Sequence, residues 1–349
     1  MKLATYQDGS RDGQLVVVSR DLASAHYATG IASRLQAVLD DWNFLAPQLQ
    51  DLSDDLAAGR ARHAFAFDPA HCMAPLPRTG AHLEGRAYPH HHALTAELAG
   101  TEAADAMFPG LLRLGGTELL GAQDDVLLPP GDDLDADFEA GLAVVTGDIP
   151  MGCSAERAED GVRLVLLACG IALRRPGLAD AAFHCRPATA FGPVAVTPDE
   201  LGAAWSGGRL SGTLQTTWNG RKVGLCETGD GMQTPFGTLV ARMARTGRLR
   251  AGSIVGSGPA SNAGSTGAAA PSPEAAAGGR KARKADADAR REWPRGYASI
   301  AEKRAMETLQ DGAPKTGFLQ PHDTLRLEMK GRDGVSIFGA IAHEVQRAA

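Results

Sequence analysis

No run of about 18 or more consecutive apolar residues occurs in this chain of 349, so no transmembrane helix is expected. The opening Met1-Lys2-Leu3-Ala4-Thr5 lacks the charged-then-apolar layout of a secretory signal, and a cytoplasmic location with no membrane partner is the expectation. There is no excess of positive charge either: 35 Lys and Arg stand against 41 Asp and Glu, a net charge of −6 and a pI near 5.9. That balance gives no electrostatic reason to expect a nucleic-acid partner. The five cysteines (Cys72, Cys153, Cys169, Cys185 and Cys226) contain no CxxC pair, which argues against a zinc knuckle or a dithiol redox motif. They read as reduced, half-buried small residues.

What is present is enough apolar material, 44% against 22% charged, to bury a full core as one main domain with a smaller appendage. Leu3 to Tyr6 and Gln14 to Ser19 flank the turn residues Asp8-Gly9 and Asp12-Gly13 and predict a strand pair. Helical spacing follows over Gly30 to Trp42 and Ala46 to Ala58, with Gly59 as a stop. Pro69, Pro75 and Pro77 mark an extended connector. From Asp137 onward the runs Phe138 to Thr146, Val162 to Leu173 and Thr189 to Val196 are strand-like. Thr197-Pro198-Asp199-Glu200 reads as a capping box opening a short helix towards Trp205. Asn219-Gly220 and Arg332-Asp333-Gly334 each sit between β-type runs and predict hairpins.

Between Pro259 and Pro294 the chain becomes Ala, Gly, Ser and Pro, then Arg280-Lys281-Ala282-Arg283-Lys284, with no apolar period. Such a stretch cannot offset its ordering entropy by burial, and a flexible insertion at 259–294 is expected. The fold class is mainly β (α+β), a β-roll or sandwich-like domain with peripheral helices.

Several separated blocks carry a family resemblance. They are Asp137-Phe138-Glu139-Ala140 with its strand to Thr146-Gly147-Asp148, Arg186-Pro187-Ala188-Thr189-Ala190-Phe191, and Thr217-Trp218-Asn219-Gly220. The segments Ala251 to Gly258 and Gly296-Tyr297 through Glu302-Lys303-Arg304 complete the set. Through them the chain resembles the fumarylacetoacetate hydrolase family, whose members hydrolyse carbon–carbon bonds in β-diketo acids. The resemblance implies a mixed β-roll at 76–349 behind a small N-terminal α/β module at 1–75.

It also implies a divalent-metal site built from an E-x-E pair on one strand and an aspartate on the next. Residues i and i+2 of a strand face the same side, so two carboxylates there can grip one hard cation that polarises a dicarbonyl substrate. In this chain Glu139 keeps the first position, but Gly141 stands at the second and Gly170 where the aspartate is expected. At most weak Mg2+ or Ca2+ binding is therefore expected, and no other cofactor. Asp137 faces the same side and offers a rearranged shell. The two glycines are expected to enlarge the pocket.

The family's His and Glu dyad is matched to His91 and Glu302, and its anion-binding Lys to Arg186, which can hold a negative charge but not pass a proton. Gly256, Ser257 and Gly258 resemble the substrate-carboxylate loop, and Arg174 counts with them as substrate-binding. His90, His91 and His92, read as loop residues, are too close together to form a zinc cage. Three functions fit these residues: a metal-independent acid/base enzyme acting on a β-dicarbonyl or related acid, such as an isomerase, decarboxylase, cyclase or C–C lyase in a specialised biosynthetic pathway; a conventional metal-dependent hydrolase; or a non-catalytic partner subunit. The expected partners are a small carbonyl acid and a second copy of the chain in a homodimer.

Overall fold

The computed structural model describes residues 1–99, 111–114, 118–130, 134–174, 184–263, 296–331 and 333–348. Most of the expected insertion, from 264 onward, lies outside the described residues, whereas Pro259 ends a strand and Ala260 and Ser261 are buried.

The strands of the first third are β1 (Lys2–Tyr6), β2 (Gln14–Val18), β3 (Ser24–Tyr27), β4 (Phe65–Ala66), β5 (His82–Gly85), β6 (Leu111–Arg113), β7 (Glu118–Leu120) and β8 (Val126–Leu128). The middle third supplies β9 (Ala136–Thr146), β10 (Val162–Leu173), β11 (Ala188–Phe191), β12 (Ala195–Val196), β13 (Trp205–Ser206), β14 (Arg209–Leu210), β15 (Thr213–Trp218) and β16 (Arg221–Glu227). The remainder are β17 (Ser253–Pro259), β18 (Thr324–Lys330) and β19 (Ser336–Arg347).

A sheet of twelve strands runs β4-β3-β2-β1-β12-β10-β9-β17-β5-β6, with β11 and β7 attached through β10. A second sheet of five runs β16-β15-β18-β19-β8. The architecture is mainly β. At the centre β9 and β10 pair antiparallel, from Ala136 opposite Leu173 to Thr146 opposite Val162. Every residue of β9 is buried, as expected for a strand covered on both faces.

The expected first strand pair forms, and β1 also pairs with β12, so the N-terminal strands continue the main sheet. Helices α1 (Leu35–Asp40) and α2 (Trp42–Ala57) cover one face. Their Leu35, Val38, Leu39, Leu49 and Leu56 share a core with Leu3 and Val17 but also with Val145, Leu164 and Ile254 of the central strands. The first helix starts five residues later than its spacing suggests, because Gly30 adopts φ +93° in a turn.

Asn219 and Gly220 take φ 49° and 72° between β15 and β16, the left-handed pair that a two-residue hairpin requires, and β18 and β19 form the second predicted hairpin. Two local expectations fail. The Thr197 side chain does not cap: it bonds to the backbone of Met1, Glu200 is paired with Arg20, and a 3-10 turn over Pro198–Ala204 replaces the helix. The run Thr189 to Val196 splits into β11 and β12, since Gly192-Pro193 interrupts the ladder.

The sequence reading missed four helices: α3 (Pro89–Ala99), α4 (Ala155–Glu159), α5 (Phe236–Met243) and α6 (Ile300–Asp311). The three adjacent histidines therefore lie in the first turn of α3, not in a loop. All five cysteines are free, three of them buried. Among the described residues no helix is long and apolar enough to cross a membrane.

Candidate active site

Asp137, Glu139 and Gly141 alternate along β9 and so face one side, and the ladder sets Gly170 directly opposite Glu139. Into this spot come two arginines, Arg174 just after β10 and Arg186 just before β11. Leu173 N–H donates to the Cys185 carbonyl at 2.9 Å, which brings the end of β10 beside the segment leading into β11, and Arg174 N–H donates to the Asp135 carbonyl at 3.1 Å, beside the start of β9. Both guanidinium groups then reach Glu139: Arg174 Nη2 donates to Oε1 and Arg186 Nη1 to Oε2. Arg174 Nε also donates to Asp137 Oδ2, at 3.1 Å.

Burial by itself drives the Glu139 carboxyl up, but the guanidinium groups of Arg186 and Arg174 outweigh it and hold the pKa at about 2. Glu139 is thus held as an anion, with a guanidinium donor on each oxygen.

The two glycines enlarge nothing. A side chain at 141 would run into the Gly258 carbonyl, so this glycine is required by close backbone approach. At 170 a Cβ would lie 3.4 Å from Arg186 Nη1, so the space beside that glycine is filled by the arginine.

Asp137 is likewise engaged elsewhere. It accepts from the Ser299 hydroxyl (3.0 Å), Ile300 N–H (2.6 Å) and Ala301 N–H (3.1 Å), holding the N-terminus of α6 to β9. Ser299 caps the same helix, its Oγ accepting from Glu302 N–H at 3.4 Å. This anchoring places Glu302 in the first turn of α6, facing the first turn of α3.

There His91 Nδ1 lies 3.1 Å from Glu302 Oε2, and Ser261 Oγ donates to Glu302 Oε1 at 2.9 Å. His90 Nδ1 is 2.9 Å from Ser261 Oγ and, with that hydroxyl proton already committed to Glu302, is the donor of the pair. Because a carboxylate only accepts, His91 carries its proton on Nδ1, and Nε2, which bonds to no described residue, has its lone pair available. Three of the four groups in this chain of contacts, His91, Glu302 and Ser261, are buried.

The GSG segment is woven into the scaffold. Ser257 Oγ accepts from Leu142 N–H (3.1 Å) and donates to the Gly258 carbonyl (2.7 Å), and its own carbonyl takes Ala87 N–H (2.9 Å). Gly258 N–H donates to Glu84 Oε1 at 2.6 Å.

Glu84 on β5, like Ser261, is a site residue that sequence reasoning missed. Its carboxyl lies against the bare Cα of Gly256, and burial pushes its pKa up to about 7, the Glu139 charge adding to that and Arg186 opposing it. The available signal was a lone carboxylate in His82-Leu83-Glu84-Gly85, seven residues before His91.

Glu139 feels the charges of Arg186, Arg174 and His91, and Glu84 those of Arg186 and Glu139, so the His91–Glu302 pair and the arginine cluster lie within electrostatic reach of each other. As a cation site the arrangement does not fit: Glu139 and Asp137 are already bound by guanidinium and N–H donors, and positions 141 and 170 supply no oxygen. Among the described residues no cluster of three or more His, Cys, Asp or Glu side chains is arranged to hold a metal ion.

Comparison with known proteins bears on the whole chain. The fumarylacetoacetase N-terminal domain 2 profile matches residues 1–78, and the fumarylacetoacetate (FAA) hydrolase C-terminal profile matches residues 83–346. No curated protein matches the chain. Among solved structures, a probable 2-hydroxyhepta-2,4-diene-1,7-dioate isomerase from Mycobacterium abscessus is 17% identical with a TM-score of 0.64, both chains covered in full. Maleylpyruvate hydrolase from Sphingobium sp. SYK-6, in complex with manganese(II) and pyruvate, is 15% identical with a TM-score of 0.62, again over 100% of both chains. A putative HpcE protein from Mycobacterium smegmatis is 18% identical over the full length of each, with a TM-score of 0.62. At such identities these structures speak for the fold, while the profiles, which together take in nearly the whole sequence, show that the chain belongs to the fumarylacetoacetate hydrolase family.

Proposed function

We propose that this protein is an acid/base enzyme that acts on a β-dicarbonyl or related unsaturated keto acid without a divalent cation. The observation that carries the reading is the His91–Glu302 pair, buried and anchored from two helix N-termini, with His91 Nε2 left to take a proton. Glu302 fixes the ring's tautomer and balances the charge that His91 acquires. Ser261 and His90 hold Glu302 from the other side. Arg174 and Arg186 stand where negative charge on a carbonyl oxygen can be stabilised as a carbon acid is deprotonated or a C–C bond gives way. Similar proteins named as isomerases and hydrolases of unsaturated keto or enol acids support this substrate class.

The test is loss of the enol absorbance of an acylpyruvate, followed with and without EDTA. The reading predicts turnover that EDTA leaves unchanged and that falls about 100-fold or more in His91→Ala, the usual contribution of a positioned acid/base. Turnover that EDTA abolishes would return the site to metal-dependent hydrolysis. A wild-type protein inert towards acylpyruvates and oxaloacetate would favour the non-catalytic subunit.

A further inference from the structure

We infer that Arg174 and Arg186 form a protein-borne anion receptor that takes over the cation's task, and that its ligand class is a planar dianion, a 2-keto acid in its enolate form or a short dicarboxylate. This rests on the reading above as to where the substrate sits, but not on turnover.

Three features support it. The two guanidinium groups converge on one carboxylate, Glu139, which holds them in a fixed relation to each other. Arg174 gives Nε and Nη2 to Asp137 and Glu139, and its Nη1 bonds to no described residue. The arginine side chains are also the accessible part of the cluster, 27% and 17% exposed, whereas Glu139 behind them is 3% exposed.

An incoming anion therefore meets guanidinium edges first and carboxylate last. Guanidinium presents coplanar N–H groups matched to the two oxygens of a carboxylate or of an enolised keto acid, and it stays charged at any working pH. Arg186 depends on the glycine opposite Glu139: an acidic side chain at 170 would engage it directly.

Glu139 then has a role opposite in sign to that of a metal ligand. It positions the arginines and competes with the substrate for their N–H groups. In a cation site the same carboxylate would hold the ion that binds the anion. The consequence can be measured with oxalate, which is planar, doubly charged and has no proton to move.

Isothermal titration of oxalate into the full-length protein in EDTA is expected to show one site per chain. Arg174→Gln and Arg186→Gln should each weaken it about tenfold or more, and Glu139→Gln should tighten it. Thermal melts establish that each variant is folded, and Arg186→Lys, which keeps the charge without the fork, should bind less well than wild type even where Arg186→Gln fails to fold. Oxalate binding that appears only with added Mg2+ or Mn2+, or that is lost in Glu139→Gln, overturns the inference, as does no binding at all. His91→Ala separates the two ideas: oxalate binding should survive it while turnover does not. If His91→Ala leaves turnover intact, the acid/base reading falls and the receptor stands.

Discussion

A carboxylate sealed among strands must either lose its charge or be neutralised, and Glu139 takes the second course through two guanidinium groups. Glu84, close by, takes the first: burial raises it to about 7. A carboxyl whose folded pKa exceeds its unfolded value stabilises the fold below the unfolded value and loses that contribution as pH rises through the folded one. Glu84→Gln should therefore gain stability relative to wild type as pH climbs from about 4.5 to about 7, with no further gain above. Urea melts across that range check it, and a gain that is constant with pH would contradict it. His82 has the reverse sign. Its two ring nitrogens are buried without a hydrogen-bond partner among the described residues and burial lowers its pKa to about 4, so it contributes to acid lability between about pH 6.5 and 4. His82→Leu should flatten stability in that window. The two glycines of the site also behave differently from each other. Gly141→Glu drives a side chain into the Gly258 carbonyl and should cost roughly 1–3 kcal/mol or more, whereas a Cβ at 170 meets Arg186 and Glu139 at ordinary contact distance, so Gly170→Asp should fold.

Among the elements, α6 bears most on chemistry, because its first turn carries Glu302 and its N-terminus is tied to β9 through Asp137. Asp137→Ala removes a buried acceptor of two backbone N–H groups and should cost roughly 3–5 kcal/mol while displacing Glu302. Asp137→Asn keeps one acceptor oxygen and should recover part of both stability and turnover, measured by thermal melts and by kcat. The alternation that puts Asp137, Glu139 and Gly141 on one face was legible because strand period is a local property, and so were the Asn219-Gly220 hairpin and the first strand pair. The helix α3 was not: Pro89-His90-His91-His92 has little apolar periodicity, and its helical state is set by packing against α6. Nor could residue types reveal that Arg186 fills the space beside Gly170. That follows from the backbone contact between Leu173 and Cys185, which joins segments whose sequences carry no mutual signal.

At the scale of the molecule, the first 75 residues do not have a core to themselves. Their Leu3, Leu15 and Val17 pack with Leu164, Val145 and Ile254 under α1 and α2, and β1 continues the main sheet through β12. A fragment of residues 76–349 should consequently expose this apolar face and melt without a cooperative transition, which circular dichroism would reveal. A fragment that melts cooperatively near the full-length temperature would show the N-terminal module to be dispensable. The same continuity makes the site rigid, since strands β5, β9, β10 and β17 of one sheet carry Glu84, Glu139, Gly170 and Gly258. The central claim is that two arginines have replaced a cation there. It is tested most directly by calorimetric titration of Mn2+ into the chelator-stripped protein. The account predicts no stoichiometric binding to the wild type, and one tight site per chain that disappears in Glu139→Ala would contradict it.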